Sequence, residues 1–348
     1  MRSTMIGTTT PARAGVATRT LIGAVVGALT GVLVLMLLVG AGAARASAPA
    51  LAAGVVDGTL QITGASGPER IALRLSSLDS GQLLVDVGDN GSAEHSFDLT
   101  TFRAIAVDAG NGGDIVRIDD ANGAFTTTKA TTIAGGNGDD TLLGGGGAET
   151  FIGGRGNDVA DGNGGADAAF MGNGDDVFIW DPGDGSDRFE GGAGSDTMVF
   201  NGAPGNEAMA VNADGGRVRF TRVQGTIVMD LDDVEVVDVR ALGGTDAITV
   251  GDVAATDLRR VDIDLAATLG GSASDRAADT VTVLGTSDVD TIRAAALGAT
   301  AEVTGLAATV RVTHADPDVD TLVLDTLDGA DDVSVDPDLE DVIVVSVK

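Results

Sequence analysis

The sequence predicts an all-β solenoid flanked by irregular β-rich regions, and three observations carry that prediction. Between Gly135 and Val199 one nine-residue pattern, G-G-x-G-x-D-x-U-x with U apolar, returns again and again, and a fixed short period marks a repeat architecture. On either side of it, short runs of alternating apolar and polar residues are separated by Gly, Asn and Asp clusters, as in strand-and-turn sequence. The 348 residues include one Trp and no Tyr, so a conventional globular core would be thin. A solenoid tolerates that, because each coil needs only its neighbours to cover a small apolar strip.

Residues 1–46 set the expected compartment. Arg2, Arg13 and Arg19 precede an apolar run from Leu21 to Ala44, and Ala44-Arg45-Ala46 gives a small-residue cleavage pattern before Ser47. That is the layout of a secretory signal peptide cut after Ala46. The apolar run is also long enough to span a bilayer with its basic flank in the cytoplasm, so an uncleaved anchor stands beside cleavage. Gly23, Gly27 and Gly31 would give such a helix a small-xxx-small face for pairing.

Residues 47–134 form a β-rich N-terminal flank, with strand-like runs at Thr59-Leu60-Gln61-Ile62, Arg70-Ile71-Ala72-Leu73, Gln82 to Val87 and Arg103 to Val107. The segment A-G-N-G-G-D-I-V-R from Ala109 looks like a decayed copy of the repeat, as does, more loosely, A-S-G-P-E-R-I-A around Gly67. Its Asp114 is either a further ligand or a plain turn residue.

Residues 135–199 hold the repeat proper. It reads G-G-N-G-D-D-T-L-L from Gly135, G-G-G-G-A-E-T-F-I from Gly144, G-G-R-G-N-D-V-A-D from Gly153, G-N-G-G-A-D-A-A-F from Gly162 and M-G-N-G-D-D-V-F-I from Met171. After Trp180 and Asp181 it resumes as P-G-D-G-S-D-R-F-E from Pro182 and G-G-A-G-S-D-T-M-V from Gly191. Glycines permit positive φ and tight turning with carbonyl oxygens facing inward, and the sixth-position carboxylates stand beside them. Such an all-oxygen donor set suits a hard cation such as Ca²⁺ better than zinc or copper. The D-x-U-x tail extends into a short strand whose eighth residue points inward by two-residue alternation. Those inward residues are Leu142, Phe151, Ala160, Ala169, Phe178, Phe189 and Met198.

Residues 200–348 are β-rich with less glycine, and an aspartate leads directly into each β-branched run: Asp246, Asp279, Asp290, Asp320 and Asp331. Their uneven spacing yields no nonapeptide roll. Gly243-Gly244-Thr245-Asp246 and Asp328-Gly329-Ala330-Asp331 look like eroded calcium loops. Degenerate β-helix coils are expected, with a β-sandwich as the alternative, and the aspartates read as strand-start turn residues rather than ligands. Asp252 to Leu269 admits one short helix.

On these nonapeptides the chain resembles the RTX, or haemolysin-type, calcium-binding repeat family of bacterial secreted proteins. The resemblance implies a parallel β-roll in which two nonapeptides make one turn and each ion sits between successive loops on one edge. Carried over by position, one edge takes Asp140, Asp158, Asp176 and Asp196, and the other takes Glu149, Asp167 and Asp187. Carbonyls of Gly136, Gly138, Gly154, Gly156, Gly172 and Gly174 would complete the shells. Three departures mark the second edge: Glu149 for aspartate, Asn163 for the second glycine, and the Trp180 insertion, expected to interrupt the stack.

Electrostatics call for an ion independently. Neighbouring turns lie about 4.8 Å apart, so adjacent carboxylates repel by about 0.9 kcal/mol in water and several-fold more at a half-buried edge. The chain's net charge is −31, and loss of residues 1–46 removes four arginines and no acids, leaving −35. That balance argues against nucleic acid and anionic membrane surfaces as partners; a membrane enters only if the N-terminal segment is retained. With no cysteine there are no disulfides and no thiolate metal site. Bound Ca²⁺ is the natural substitute, since a ligand specific to the folded state stabilises it.

Relatives often carry a protease or lipase domain, but here there is no H-E-x-x-H, and His95 and His314 stand far apart. There is also no G-x-S-x-G in a strand-to-helix setting. The expectation is a secreted or surface-anchored calcium-binding protein without catalytic activity, acting as a structural or adhesive module. The alternative is an extracellular, for example carbohydrate-active, enzyme built on a β-helix. A groove of aligned side chains with perturbed acids would favour the latter.

Overall fold

The structure, a computed structural model, describes residues 51–348. The expected signal peptide or anchor at 1–46 lies outside the described residues. Among those described, the chain is nearly all β, and it coils between two facing sheets of 14 strands each.

Through the nonapeptides the coil is regular. One sheet stacks Ala104–Asn111, Ala130–Asn137, Glu149–Arg155, Ala168–Asn173 and Arg188–Ala193 in parallel. The other stacks Ile115–Asp119, Thr141–Leu143, Val159–Asp161, Val177–Trp180 and Thr197–Asn201. Consecutive nonapeptides therefore alternate between sheets, and two of them complete one turn of a parallel β-roll.

The register brings like positions together. Leu142, Ala160, Phe178 and Met198 face one another in one column, and Ile133, Phe151, Ala169 and Phe189 in the opposing one. All seven expected inward residues are fully buried. The two-residue alternation of an extended chain forces this: the residue after the aspartate points out, the next one in.

The same two sheets run on into both flanks. Thr59–Thr63 pairs in parallel with the strand at Ala104, and Arg70–Leu75 with the strand at Ile115. The N-terminal end is closed by antiparallel strands. Ala52–Val56 lies on Thr59–Thr63, and Gln82–Val87 followed by His95–Asp98 lies on Arg70–Leu75. Such capping strands end the parallel stack.

Beyond the nonapeptides the coils are of uneven length, because each sheet takes in a three-strand antiparallel meander. In the first sheet it comprises Ala208–Asp214, Arg217–Arg222 and Ile227–Asp232. In the second it comprises Thr291–Leu297, Thr300–Thr304 and Thr309–Thr313. Parallel coils resume after each one. Of the two expectations for 200–348, the coils are what the structure shows. The short helix admitted over Asp252 to Leu269 is absent; turns lead into the strand Arg260–Asp264, where Val261 and Ile263 are buried and the alternate residues face outward.

The Trp180 insertion lengthens a strand instead of breaking the stack. Two added residues preserve inside-outside alternation, so Trp180 enters the core on the same side as Phe178. Its ring stacks on Phe200 at 4.1 Å, Phe200 meets Phe220 at 4.3 Å, and Phe178 stacks on Phe189 at 5.5 Å. The Trp180 indole N–H donates to the Gly185 carbonyl at 2.8 Å. Phe178→Ala should destabilise the calcium-loaded chain by about 3–5 kcal/mol, whereas Ile152→Thr on the exposed face should change it by no more than about 0.5 kcal/mol. Urea unfolding followed by Trp180 emission measures both.

Candidate metal centre

The glycines position the loops. Gly154 and Gly156 hold φ of 117° and 121°, which an L side chain rarely adopts. A Cβ on either would fall on the carbonyl oxygen of Gly136 or Gly138 in the coil before. The same relation joins Gly172 to Gly154 and Gly174 to Gly156. All six carbonyl groups expected as ligands therefore lie in two close columns along the loop stack.

Beside these columns the sixth-position carboxylates form a ladder. Asp140 N–H donates to Asp158 Oδ1 at 2.8 Å, Asp158 N–H to Asp176 Oδ1 at 2.7 Å, and Asp176 N–H to Asp196 Oδ1 at 2.8 Å. On the other edge Glu149 N–H donates to Asp167 Oδ1 at 2.6 Å and Asp167 N–H to Asp187 Oδ1 at 2.8 Å. The structure thus groups the seven acids into the two sets that the sequence separated. Their burial exceeds expectation: the edge was expected to be half-buried, but all seven side chains are buried.

The first ladder is longer than the clear repeats. Glu69 N–H donates to Asp114 Oδ1 and Asp114 N–H to Asp140 Oδ1, both at 2.7 Å; at the far end Asp196 N–H donates to Glu235 Oε2, also at 2.7 Å. Asp114 is therefore a rung, and Glu69 and Glu235 are ladder ends not named as candidates from the sequence: Glu69 lies in the loose repeat-like stretch around Gly67, and no nonapeptide surrounds Glu235. A second, exposed ladder was also missed. Asn157 N–H donates to Asp139 Oδ1, Asp175 N–H to Asn157 Oδ1 and Ser195 N–H to Asp175 Oδ1. The recurrence of Asp or Asn at the fifth position was its signal.

Of the three departures on the second edge, two leave the backbone intact. Asn163 takes the left-handed conformation of the glycine it replaces, at φ 54°, and its Nδ2 donates to the Gly144 carbonyl at 3.3 Å. The expected interruption at Trp180 does not occur, since the Asp167–Asp187 rung spans it. Glu149 differs in kind. Its extra methylene lets Oε2 turn back to accept from Gly145 N–H at 2.8 Å, closing its own loop at the head of the edge.

One oxygen of each carboxylate is thus spoken for by an amide, and in all of the seven except Asp187 the other is buried without a partner. Oδ2 of Asp114, Asp140, Asp158, Asp167, Asp176 and Asp196 is buried without a hydrogen-bond partner, as is Oε1 of Glu149. Leaving a buried polar atom unpaired costs about 1–3 kcal/mol, and more for a charged one. No Lys, Arg or His among the described residues forms an ion pair with these acids. Burial, reinforced by neighbouring carboxylates, pushes Asp158 up to about 7, Asp140 and Asp196 to about 6, Asp167 to about 9 and Asp187 to about 6.

These residues fit a hard cation. Among the described residues no three Asp, Glu, His or Cys groups are placed to hold a metal, so side chains alone do not make the shell. It would combine an unpaired carboxylate oxygen with loop carbonyls, the mixed set that Ca²⁺ accepts. When bound, the ion supplies positive charge where the protein offers none.

Comparison with known families agrees with this geometry. The model of the RTX calcium-binding nonapeptide repeat, in four copies, matches residues 126–160, 143–178 and 183–202. The chain carries RTX, haemolysin-type repeats over this stretch, and they imply Ca²⁺ binding. No curated protein matches the chain.

Asp158→Ala should weaken calcium binding by at least about tenfold, or 1.4 kcal/mol, and by more than Glu149→Ala. Asp158 lies mid-ladder with one oxygen unpaired, whereas Glu149 heads its edge and closes its own turn; calorimetric titration of both variants checks the order. In chelator the raised carboxylates dictate the pH dependence. Acids with a folded pKa above the unfolded value contribute stability that is fully present below pH 3.8 and lost as pH rises through about 6–7. The melting midpoint of the metal-free chain should therefore fall from pH 5 to pH 8. In millimolar Ca²⁺ it should rise over the same interval, because the ion binds the deprotonated form.

Proposed function

We propose that the chain is an exported, calcium-dependent structural or adhesive module without catalytic activity, whose β-roll folds where Ca²⁺ is plentiful. The observation that carries this reading is the row of buried carboxylates, each anchored by an amide on one oxygen and unpaired on the other, with no basic partner among the described residues. A cation is the missing charge, and millimolar extracellular Ca²⁺ supplies it. Export rests on the sequence of residues 1–46, read as a cleaved signal or a retained anchor.

The non-catalytic part is supported by what surrounds the remaining titratable groups. An open groove on the second sheet that gathers several acids is lined by Asp238, Asp262, Asp264 and Arg240. Each acid in it is already paired: Asp238 with Arg240, Asp262 with Arg260, and Asp264 with His314. His95 lies in the N-terminal antiparallel cap, where its ring stacks near Phe97 at 6.3 Å. Burial raises Asp238, and that is the observation favouring the alternative, an extracellular enzyme on a β-helix. A groove whose acids are committed to arginines, or in Asp264 to a hydrogen bond with His314, reads more simply as a surface charge ladder.

Circular dichroism of the chain from Ser47 tests the reading. Millimolar Ca²⁺ should raise the β signal strongly and Mg²⁺ much less, since Mg²⁺ demands octahedral geometry and gives up its waters reluctantly. Identical spectra in chelator and in calcium would count against coupled folding.

A further inference from the structure

The amide-to-carboxylate ladder recurs in the C-terminal coils, outside the residues that match the repeat family. Glu207 N–H donates to Asp246 Oδ1 at 2.7 Å, Asp246 N–H to Asp279 Oδ1 at 2.8 Å, and Asp279 N–H to Asp320 Oδ1 at 2.9 Å. The partners are 39, 33 and 41 residues apart in the chain, yet the rungs stack as in the roll. All four acids are buried.

The rungs are of two kinds. At the ends, the second oxygen is used inside the protein. Glu207 Oε2 accepts from Ala203 N–H at 2.8 Å while its Oε1 pairs with Arg222, and Asp320 Oδ2 accepts from Asp316 N–H at 2.7 Å. Glu69 closes in the same way on Ala65 N–H, and Asp290 on Thr286 N–H. In the middle, Oδ2 of Asp246 and Oδ2 of Asp279 are buried with no partner, the condition found along the roll. No basic group among the described residues pairs with either carboxylate.

The loop that carries Asp246 is also built like those of the roll, whereas the loop that carries Asp279 has no glycine and takes its positive φ at Arg276, 62°. Gly244 has φ 130°, and a Cβ there would press into the main chain of Gly205 in the preceding coil. Asp275 binds the two loops together: its Oδ2 accepts from Gly244 N–H at 2.7 Å and its Oδ1 from Ala277 N–H at 2.8 Å. Neighbouring parallel strands lie about 4.8 Å apart, about twice a calcium–oxygen distance of roughly 2.4 Å. One ion can therefore touch carboxylates on adjacent rungs.

We propose that the loops 241–246 and 274–279 hold one further divalent cation, Ca²⁺ by the all-oxygen chemistry of the site, between Oδ2 of Asp246 and Oδ2 of Asp279. Its charge would tie together two coils whose connecting segments are long and irregular. The site shares no residue with the roll and does not depend on the roll's ions.

Two measurements test it. Crystals of the unaltered chain soaked in Tb³⁺, which replaces Ca²⁺ in oxygen sites, should show anomalous density between Asp246 and Asp279 as well as along the edge from Asp140 to Asp196. Density on that edge alone overturns the proposal and leaves the roll's ions standing; density at neither overturns both. In solution, the double variant Asp246→Asn/Asp279→Asn should bind one Ca²⁺ fewer than the unaltered chain by calorimetric titration, and Asp290→Asn, at a closed rung, should bind the same number. An unchanged stoichiometry in the folded double variant overturns the proposal. If that variant does not fold, the Tb³⁺ density in the unaltered chain decides.

Discussion

One hydrogen bond organises this molecule: the amide of a strand-start acid in one coil donates to the carboxylate of the equivalent acid in the next. It fixes the height at which each loop sits on its neighbour, and so requires glycines where a Cβ would strike the carbonyl below. It also turns each carboxylate back against the preceding coil, where it is buried. The price is a second oxygen, buried and unpaired, and a cation from solution is the simplest way to satisfy a whole row of them at once.

The composition follows from that arrangement. Each coil contributes one or two inward apolar side chains per strand, so the core is a narrow column filled by residues such as Leu142, Phe178 and Met198, and its aromatic poverty is no handicap. With no disulfide to restrain the unfolded chain and a net charge of −31 opposing compaction, stability leans on ligands bound only by the folded state. Glutamate has a distinct part in this. Glu69, Glu149 and Glu207 each head a ladder, and each reaches back with its longer side chain to an amide four residues earlier, closing the first loop where no earlier acid amide donates to it.

What the sequence revealed depended on period. Within 135–199 the nonapeptide spacing, together with the two-nonapeptide turn that the family resemblance implies, sorts Asp140, Asp158, Asp176 and Asp196 onto one edge and Glu149, Asp167 and Asp187 onto the other, because equal coils keep equal positions in line. The C-terminal acids were visible as residues preceding β-branched runs, with Asp246 and Asp331 each closing a stretch that looks like an eroded calcium loop. Their stacking was hidden because the meander Ala208–Asp214, Arg217–Arg222 and Ile227–Asp232, and the turns before Arg260–Asp264, put unequal lengths of chain between rungs. Trp180 was misjudged for the opposite reason. A break in the period looks like a break in the structure, yet an even number of inserted residues leaves every side chain facing as before.

The central claim is that the ladder holds only when its unpaired oxygens are neutralised, and amide hydrogen exchange at Asp140, Asp158 and Asp176 tests it directly. In Ca²⁺ these three amides should exchange as slowly as the core strands beside them. In chelator they should lose that protection together. Equal protection in the two conditions would show that the ladder stands without a cation, and would contradict the account.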